Sequence, residues 1–351
     1  MSGPDGSSPR TTKGPGAREA WVLGLSALVV IASAAGARHE GEPATAPSAS
    51  PLLAATAALP PPLPSGAAAR AMDELPAPGE RARGCHFDER GFGDYGAPRR
   101  LTIPESSAPF RLLVPAGHAV AEDGSFRLLV HFHGAEPVRK QLAPEGLDLV
   151  IATLDAGTGS HAYTRALPKG AFTSLVRAAE REVAAVSGNP YARARAVVVS
   201  SWSAGYGAVA QILARPHPEL AALILLDSLY AGYTPGTQEI ERAEIAPFVD
   251  AARDALRAGP LFYLTHSTVA TPGYASTGEV ATFLLDELGA RPLPLEPALS
   301  AATDLHPLTR LYEASHLTIR GYAGGDRDAH CTQLHLLPAI LRDVVLPALP
   351  R

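Results

Sequence analysis

Residues 196–207 read A-V-V-V-S-S-W-S-A-G-Y-G, an apolar β-branched run that passes directly into a turn made of small residues. Consecutive valines favour an extended strand, and their unbroken apolarity calls for burial on both faces of a sheet. A helical pattern begins at Ala204, so no long loop fits between the two elements. A strand that turns this sharply into a helix exposes the residue at its apex, here Ser203. The residues two before and two after it, Ser201 and Gly205, are small enough for strand and helix to approach closely.

The rest of the C-terminal region repeats this alternation. Short apolar runs at 111–114, 126–133, 147–154, 220–226, 261–265 and 317–322 predict strands. Helical spacing predicts helices over 171–186, 204–214 and 332–346. Continuous apolar strands separated by helices define an α/β class, with a mostly parallel central sheet and helices on both faces. With 46% hydrophobic and 19% charged residues, the chain has enough apolar material for that core. In such sheets ligands bind beyond the carboxyl ends of the strands.

The elbow at Ser203 resembles that of the α/β-hydrolase superfamily, whose usual form is G-x-S-x-G; this chain carries S-x-S-x-G, with Ser201 at the first position. Ser200 and Ser201 also lie near the turn, but only Ser203 has small residues at both flanking positions. The resemblance implies a serine nucleophile at Ser203. It extends to Val130-His131-Phe132-His133-Gly134-Ala135, similar to the H-G segment that follows the third strand of that fold. The backbone N–H groups of Ala135 or Gly134, with that of Ala204, are then expected to form the oxyanion hole. His131 and His133 shape the loop, since their i, i+2 spacing is a poor zinc pattern.

The base implied by the resemblance is His330, in a loop between the last strand and the terminal helix; His316, His335 and His306 are the competing histidines. The acid is left between two aspartates. Asp227 directly follows the strand at 220–226, a placement found in some lipases of the superfamily, and Asp304 is the rival. Asp326 and Asp328 lie too close in sequence to His330 to orient its ring. His133, His161, Trp202 and Tyr230 are expected to line a partly aromatic pocket.

The N-terminal region is different in character. Arg10, Lys13 and Arg18 precede an apolar run from Ala20 to Ala37 that ends in A-x-A sites. Residues 1–37 therefore predict a cleaved export signal or, if retained, a membrane anchor, although the run is slightly short of the roughly 20 residues that span a bilayer. Residues 38–84, rich in Pro and Ala, predict a disordered linker, and 85–351 the catalytic domain. Both readings of the leader place the domain in a secreted, periplasmic or cell-envelope setting, where Cys85 and Cys331 form a disulfide or remain two thiols. A net charge of −5 without a basic block gives no reason to expect nucleic acid. Expected, then, is a monomeric exported serine esterase or lipase acting on a small-molecule or polymeric ester, without metal or cofactor. A peptidase or amidase of the same fold, and an inactive binding module, are the alternatives.

Overall fold

A computed structural model describes residues 82–83, 86–87, 99–115, 120–295 and 306–349. The expected leader, nearly all of the expected linker, Cys85 and Asp304 lie outside these residues. No helix among the described residues is long and apolar enough to cross a membrane.

Strands β1 (Ala82–Arg83) and β2 (His86–Phe87) pair with each other, antiparallel, across the expected domain boundary. The other ten strands form one sheet: β3 (Arg99–Leu101), β4 (Phe110–Leu113), β5 (Ser125–Phe132), β6 (Val150–Leu154), β7 (Arg193–Trp202), β8 (Leu220–Leu226), β9 (Leu261–His266), β10 (Leu293–Pro294), β11 (Leu308–Ala314) and β12 (Leu317–Tyr322). Their spatial order is β10-β11-β12-β9-β8-β7-β5-β6-β4-β3. The six central strands, β12 to β6 in that order, are parallel, and antiparallel strands close both edges.

Side chains alternate between two cores. On β7, Val197 and Val199 face one core while Ala196 and Val198 face the other; on β8, Leu223 and Leu225 oppose Ala222, Ile224 and Leu226. The larger core is covered by α2 (Ser160–Ala166), α3 (Ala171–Ser187), α4 (Tyr206–Leu213), α5 (Arg242–Leu256) and α6 (Thr277–Glu287). The opposite core is covered by α1 (Ala135–Leu142) and the C-terminal helical segment. Burial on both faces is what the unbroken apolar runs demand.

The chain reverses its direction across the sheet at β5, which has β6 on one side and β7 on the other. Such a switch point opens a crevice beyond the carboxyl ends of the two strands. The segments 133–135 and 202–205 both emerge there.

Two departures from the sequence reading matter for the site. The terminal helix starts earlier than 332: α7 spans Arg327–His335, with Asp326 Oδ1 accepting from Ala329 N at 2.8 Å as its N-cap. His330 therefore sits in the first turns of a helix, not in a loop. The helical segment then continues through Leu337–Ala339, a π-helical stretch at Ile340–Val345 and Leu346–Ala348, with Pro338 and Pro347 each lacking the amide that a regular α-helix would use. The strand at 317–322 is found as β12, but its hairpin partner β11, reached by a turn at Ser315 (φ 50°), lacks a strong apolar signature because it is only partly buried.

Candidate active site

β7 ends at Trp202, and Ser203–Gly205 form a tight 3₁₀ turn that leads into α4. Ser203 is held at φ 51°, the left-handed region that a side chain rarely adopts. The chain passes so close to its neighbours here that a Cβ on Gly205 would lie 2.3 Å from Phe132 O on β5, and one on Gly207 2.1 Å from Ser160 O at the start of α2. The small residues after Ser203 are therefore a packing requirement of the elbow.

The three neighbouring serines separate by their partners. Ser200 is fully buried, with its Oγ 2.7 Å from His131 Nδ1. Ser201 is also fully buried, with its Oγ 2.8 Å from Ser228 Oγ, and Ser228 Oγ donates to Ser203 O at 2.8 Å. Ser201 must therefore donate to Ser228. The hydroxyl that replaces the usual glycine hydrogen thus orients Ser228, whose own hydroxyl ties down the carbonyl of Ser203. Among the described residues, the Ser203 hydroxyl has no hydrogen-bond partner.

Asp227 follows β8 directly, at φ 44°, and its carboxylate is buried. Oδ2 lies 2.7 Å from His330 Nδ1. Ser267, at the end of β9, donates from its N to Oδ1 at 3.1 Å and from its Oγ to Oδ2 at 2.6 Å. Ser267 was missed by the sequence reading. It directly follows β9, as Asp227 follows β8, but no motif in the sequence marks it. The His330 ring stacks on Trp202, with centroids 4.9 Å apart, and Trp202 Nε1 donates to His330 O at 3.1 Å. Trp202 stacks in turn on His133, at 5.0 Å. One indole thus lies between two imidazoles, immediately before Ser203.

The 133–135 segment differs from expectation. The N–H groups of Gly134 and Ala135 were expected to face an open position. Instead both donate to Asp155, which follows β6: Gly134 N lies 2.8 Å from Oδ1, and Ala135 N is shared between the two oxygens at 3.2 Å each. The physical reason is that these amides form the free N-terminus of α1, where a carboxylate is favoured. Among the described residues, Ala204 N has no such carboxylate on it.

His133 is left-handed, at φ 73°, with Nδ1 2.6 Å from Tyr163 Oη. Burial pushes its imidazole below the usual range; Asp155 opposes that shift and His330 adds to it. Behind it, His131 is fully buried, and burial holds its imidazole down at about 3. Its Nε2–H therefore donates to His133 O and its Nδ1 accepts from Ser200.

Tyr230 donates to Asp227 O at 3.1 Å and meets Tyr206 at 5.7 Å and Tyr274 at 5.8 Å between ring centroids. These rings form an aromatic wall beside Asp227. His161 stands exposed on α2, its ring against Gly159, apart from these contacts. Of the competing histidines, His316 is bonded to Gly259 O at 2.6 Å at the opposite end of the sheet, while His306 packs against Gly324. Cys331 is disulfide-bonded; the chain's one other cysteine, Cys85, is outside the described residues. Among the described residues no group of three or more His, Cys, Asp or Glu side chains is set to hold a metal.

No family model matches the sequence, and no curated protein does. Several solved structures are similar in part. A thermostable esterase shares 12% identity over 71% of this chain and 62% of its own, with a TM-score of 0.41. LpqC, a poly(3-hydroxybutyrate) depolymerase from Bordetella parapertussis, shares 12% over 71% and 91%, with a TM-score of 0.40. An esterase from Thermogutta terrifontis shares 14% over 72% and 94%, at 0.37. The chain thus spans less than two thirds of the length of the first of these. The fold is legible in the chain itself. With its parallel core, a left-handed serine between strand and helix at the switch point, and a histidine–aspartate pair beside it, the chain has the α/β-hydrolase fold.

Proposed function

We propose that the protein is a serine hydrolase that cleaves carboxylic esters through an acyl-enzyme on Ser203, with His330 as base and Asp227 as acid. The observation that supports this best is the 2.7 Å contact of the buried Asp227 with His330, beside a left-handed serine whose hydroxyl is uncommitted among the described residues. In this reading, substrate entry brings the Ser203 hydroxyl onto His330 Nε2, since such bonds are often formed only in the complex. His330 takes the serine proton as Oγ attacks the ester carbonyl, then gives it to the departing alkoxide. Water, deprotonated by the same imidazole, then attacks the acyl carbon; the bond to Ser203 Oγ breaks, His330 returns the proton to Oγ, and the carboxylic acid leaves. Asp227 fixes the tautomer with the proton on Nδ1 and stabilises the imidazolium.

Ala204 N–H meets the developing oxyanion. Ala135 N–H joins it as Asp155 shifts onto Gly134, whose bond to the carboxylate is the shorter one. The wall of Tyr206, Tyr230 and Tyr274, with Trp202, suits an ester bearing a flat apolar group, small or polymeric. The leader at 1–37 supports export to the cell envelope or beyond.

A second reading has one observation in its favour. With the Gly134 and Ala135 amides occupied by Asp155, the fold could serve as a binding module without turnover. A fluorophosphonate probe separates the two. Labelling of Ser203, abolished in Ser203→Ala together with about 10⁶-fold of p-nitrophenyl ester turnover, is the expected result. Folded wild-type protein that takes up no probe would favour the binding module.

A further inference from the structure

The proposed chemistry uses Asp227 and His330 but leaves unassigned the side chain that touches the acid most closely. Ser267 is buried, as is Asp227. Its hydroxyl has a fixed direction: Val269 N donates to Ser267 Oγ at 3.2 Å, so the hydroxyl hydrogen is free to point at Asp227 Oδ2, 2.6 Å away. Its amide donates to the other oxygen, Oδ1, at 3.1 Å. The backbone of Asp227 is pinned as well, through Asp227 N to Thr265 O at 2.9 Å. The residue directly after β9 thus grips both oxygens of the carboxylate directly after β8. On Oδ2 it shares the negative charge directly with His330 Nδ1.

We infer that Ser267 is a positioning residue: it aims Oδ2 of Asp227 at His330 and, by taking part of that oxygen's charge, sets the pH at which His330 becomes a free base. Two donors on one oxygen compete for the same electron density. Hydrogen bonds to a carboxylate favour its charged form and weaken its pull on a neighbouring cation. Without the hydroxyl, Oδ2 would pair with the imidazolium undiluted. His330 would then hold its proton to higher pH.

The other titratable groups around the pair do not supply this charge. His266, on β9, contacts Ser267 O at 3.1 Å, and burial pushes its imidazole down. Burial does the same to His133, which faces His330 across Trp202. Tyr230, bonded to Asp227 O, is pushed upward by burial. All three are neutral near pH 7. Asp326 and Asp328 share α7 with His330, and Asp326 is engaged in capping that helix. The donors on the Asp227 carboxylate among the described residues are therefore Ser267 and His330.

The kinetic consequence rests on the acyl-transfer reading above; the titration consequence does not. The test follows the His330 Cε1–H resonance from pH 4 to 9 in the full-length protein, its Ser267→Ala variant and its Ser267→Thr variant, with melting curves to show that each is folded. Ser267→Ala should raise the His330 midpoint by about half a pH unit. It should move the acidic limb of the ester-hydrolysis profile the same way and lower kcat about tenfold, with KM within about twofold. Ser267→Thr, which keeps the hydroxyl, should restore all three. A folded Ser267→Ala protein whose His330 titrates at the wild-type pH, or a threonine variant that behaves like alanine, would overturn the inference. A wild-type protein inert to the fluorophosphonate probe would instead overturn the hydrolase reading, and the NMR midpoint would still decide the role of Ser267.

Discussion

Two hydrogen-bonded regions flank Ser203, and both are organised around an aspartate. On one side Asp227 is buried, and its oxygens accept from Ser267 and His330. On the other side Asp155 is exposed, and its oxygens accept from the backbone of Gly134 and Ala135. The first carboxylate holds the group that would move protons. The second occupies the donors that would meet a substrate's negative charge. The Asp227–His330 pair is thus assembled without a ligand, while the Gly134 and Ala135 amides already carry an internal anion. Losing the first carboxylate should therefore disable the protein, and losing the second should change its rate far less.

The sharpest way to break this contrast is Asp227→Asn. The amide keeps the size of the carboxylate, but it cannot stabilise the imidazolium and favours the wrong tautomer of His330. Ester turnover should fall about 10⁴-fold, while the melting temperature stays within a few degrees. A variant with near-normal turnover would move the acid to another residue. Asp304, the rival read from the sequence, would be tried next.

This contrast also marks how much could be read in advance. Ser203, Asp227 and His330 were legible because each follows or borders an element with a strong apolar signature, and chain order then constrains what can meet. The polar ties were not legible. Ser201, Ser228 and Ser267 are single serines whose partners lie on other strands, and only the sheet order brings them together. Asp155 was missed for the same reason. It follows β6 in the chain but caps α1, which begins 20 residues earlier. Hydrophobic periodicity reports which face of an element is buried. It carries no record of which side chain caps a neighbour's free amides. The start of α7 belongs with these cases, since it is set by a single capping side chain, that of Asp326, and not by apolar spacing.

A smaller effect tests how the oxyanion side is held. His131 ties β5 to Ser200 on β7 and to the carbonyl of His133, and burial holds its imidazole at about 3, against an ordinary 6.5. Above pH 6.5 the ring is neutral in both folded and unfolded chains. Between 6.5 and 3 the unfolded chain binds a proton that the folded one refuses. Stability is therefore fully present above 6.5 and falls as the pH drops through that window, by up to about 1.4 kcal/mol per pH unit from this group. His133 and His266, also shifted downward, act with the same sign. Denaturant melts from pH 8 to pH 5 should show this slope. His131→Ala should start about 1–3 kcal/mol lower, because Ser200 and His133 O lose their partner, and should show a shallower slope. An unchanged slope would show that His131 is not what couples this side to pH.

The smallest expected effect concerns Asp155 itself, and its sign is the informative part. The 133–135 segment has three other anchors: His133 N to Leu154 O at 3.0 Å, His131 Nε2 to His133 O, and Tyr163 Oη to His133 Nδ1 at 2.6 Å. Removing the carboxylate should therefore leave the segment in place at a cost of about 1 kcal/mol or less for the lost helix cap. It also frees two amides that point toward the switch-point crevice and removes a negative charge from the position where another must develop. Water will compete for the amides, which limits the gain. For a neutral p-nitrophenyl ester, Asp155→Ala should raise kcat/KM about threefold while lowering the melting temperature slightly. A rate that falls instead would mean that Asp155 orders the donors rather than filling their place. The two aspartates beside Ser203 would then be alike in role, each aligning a group that acts on the substrate.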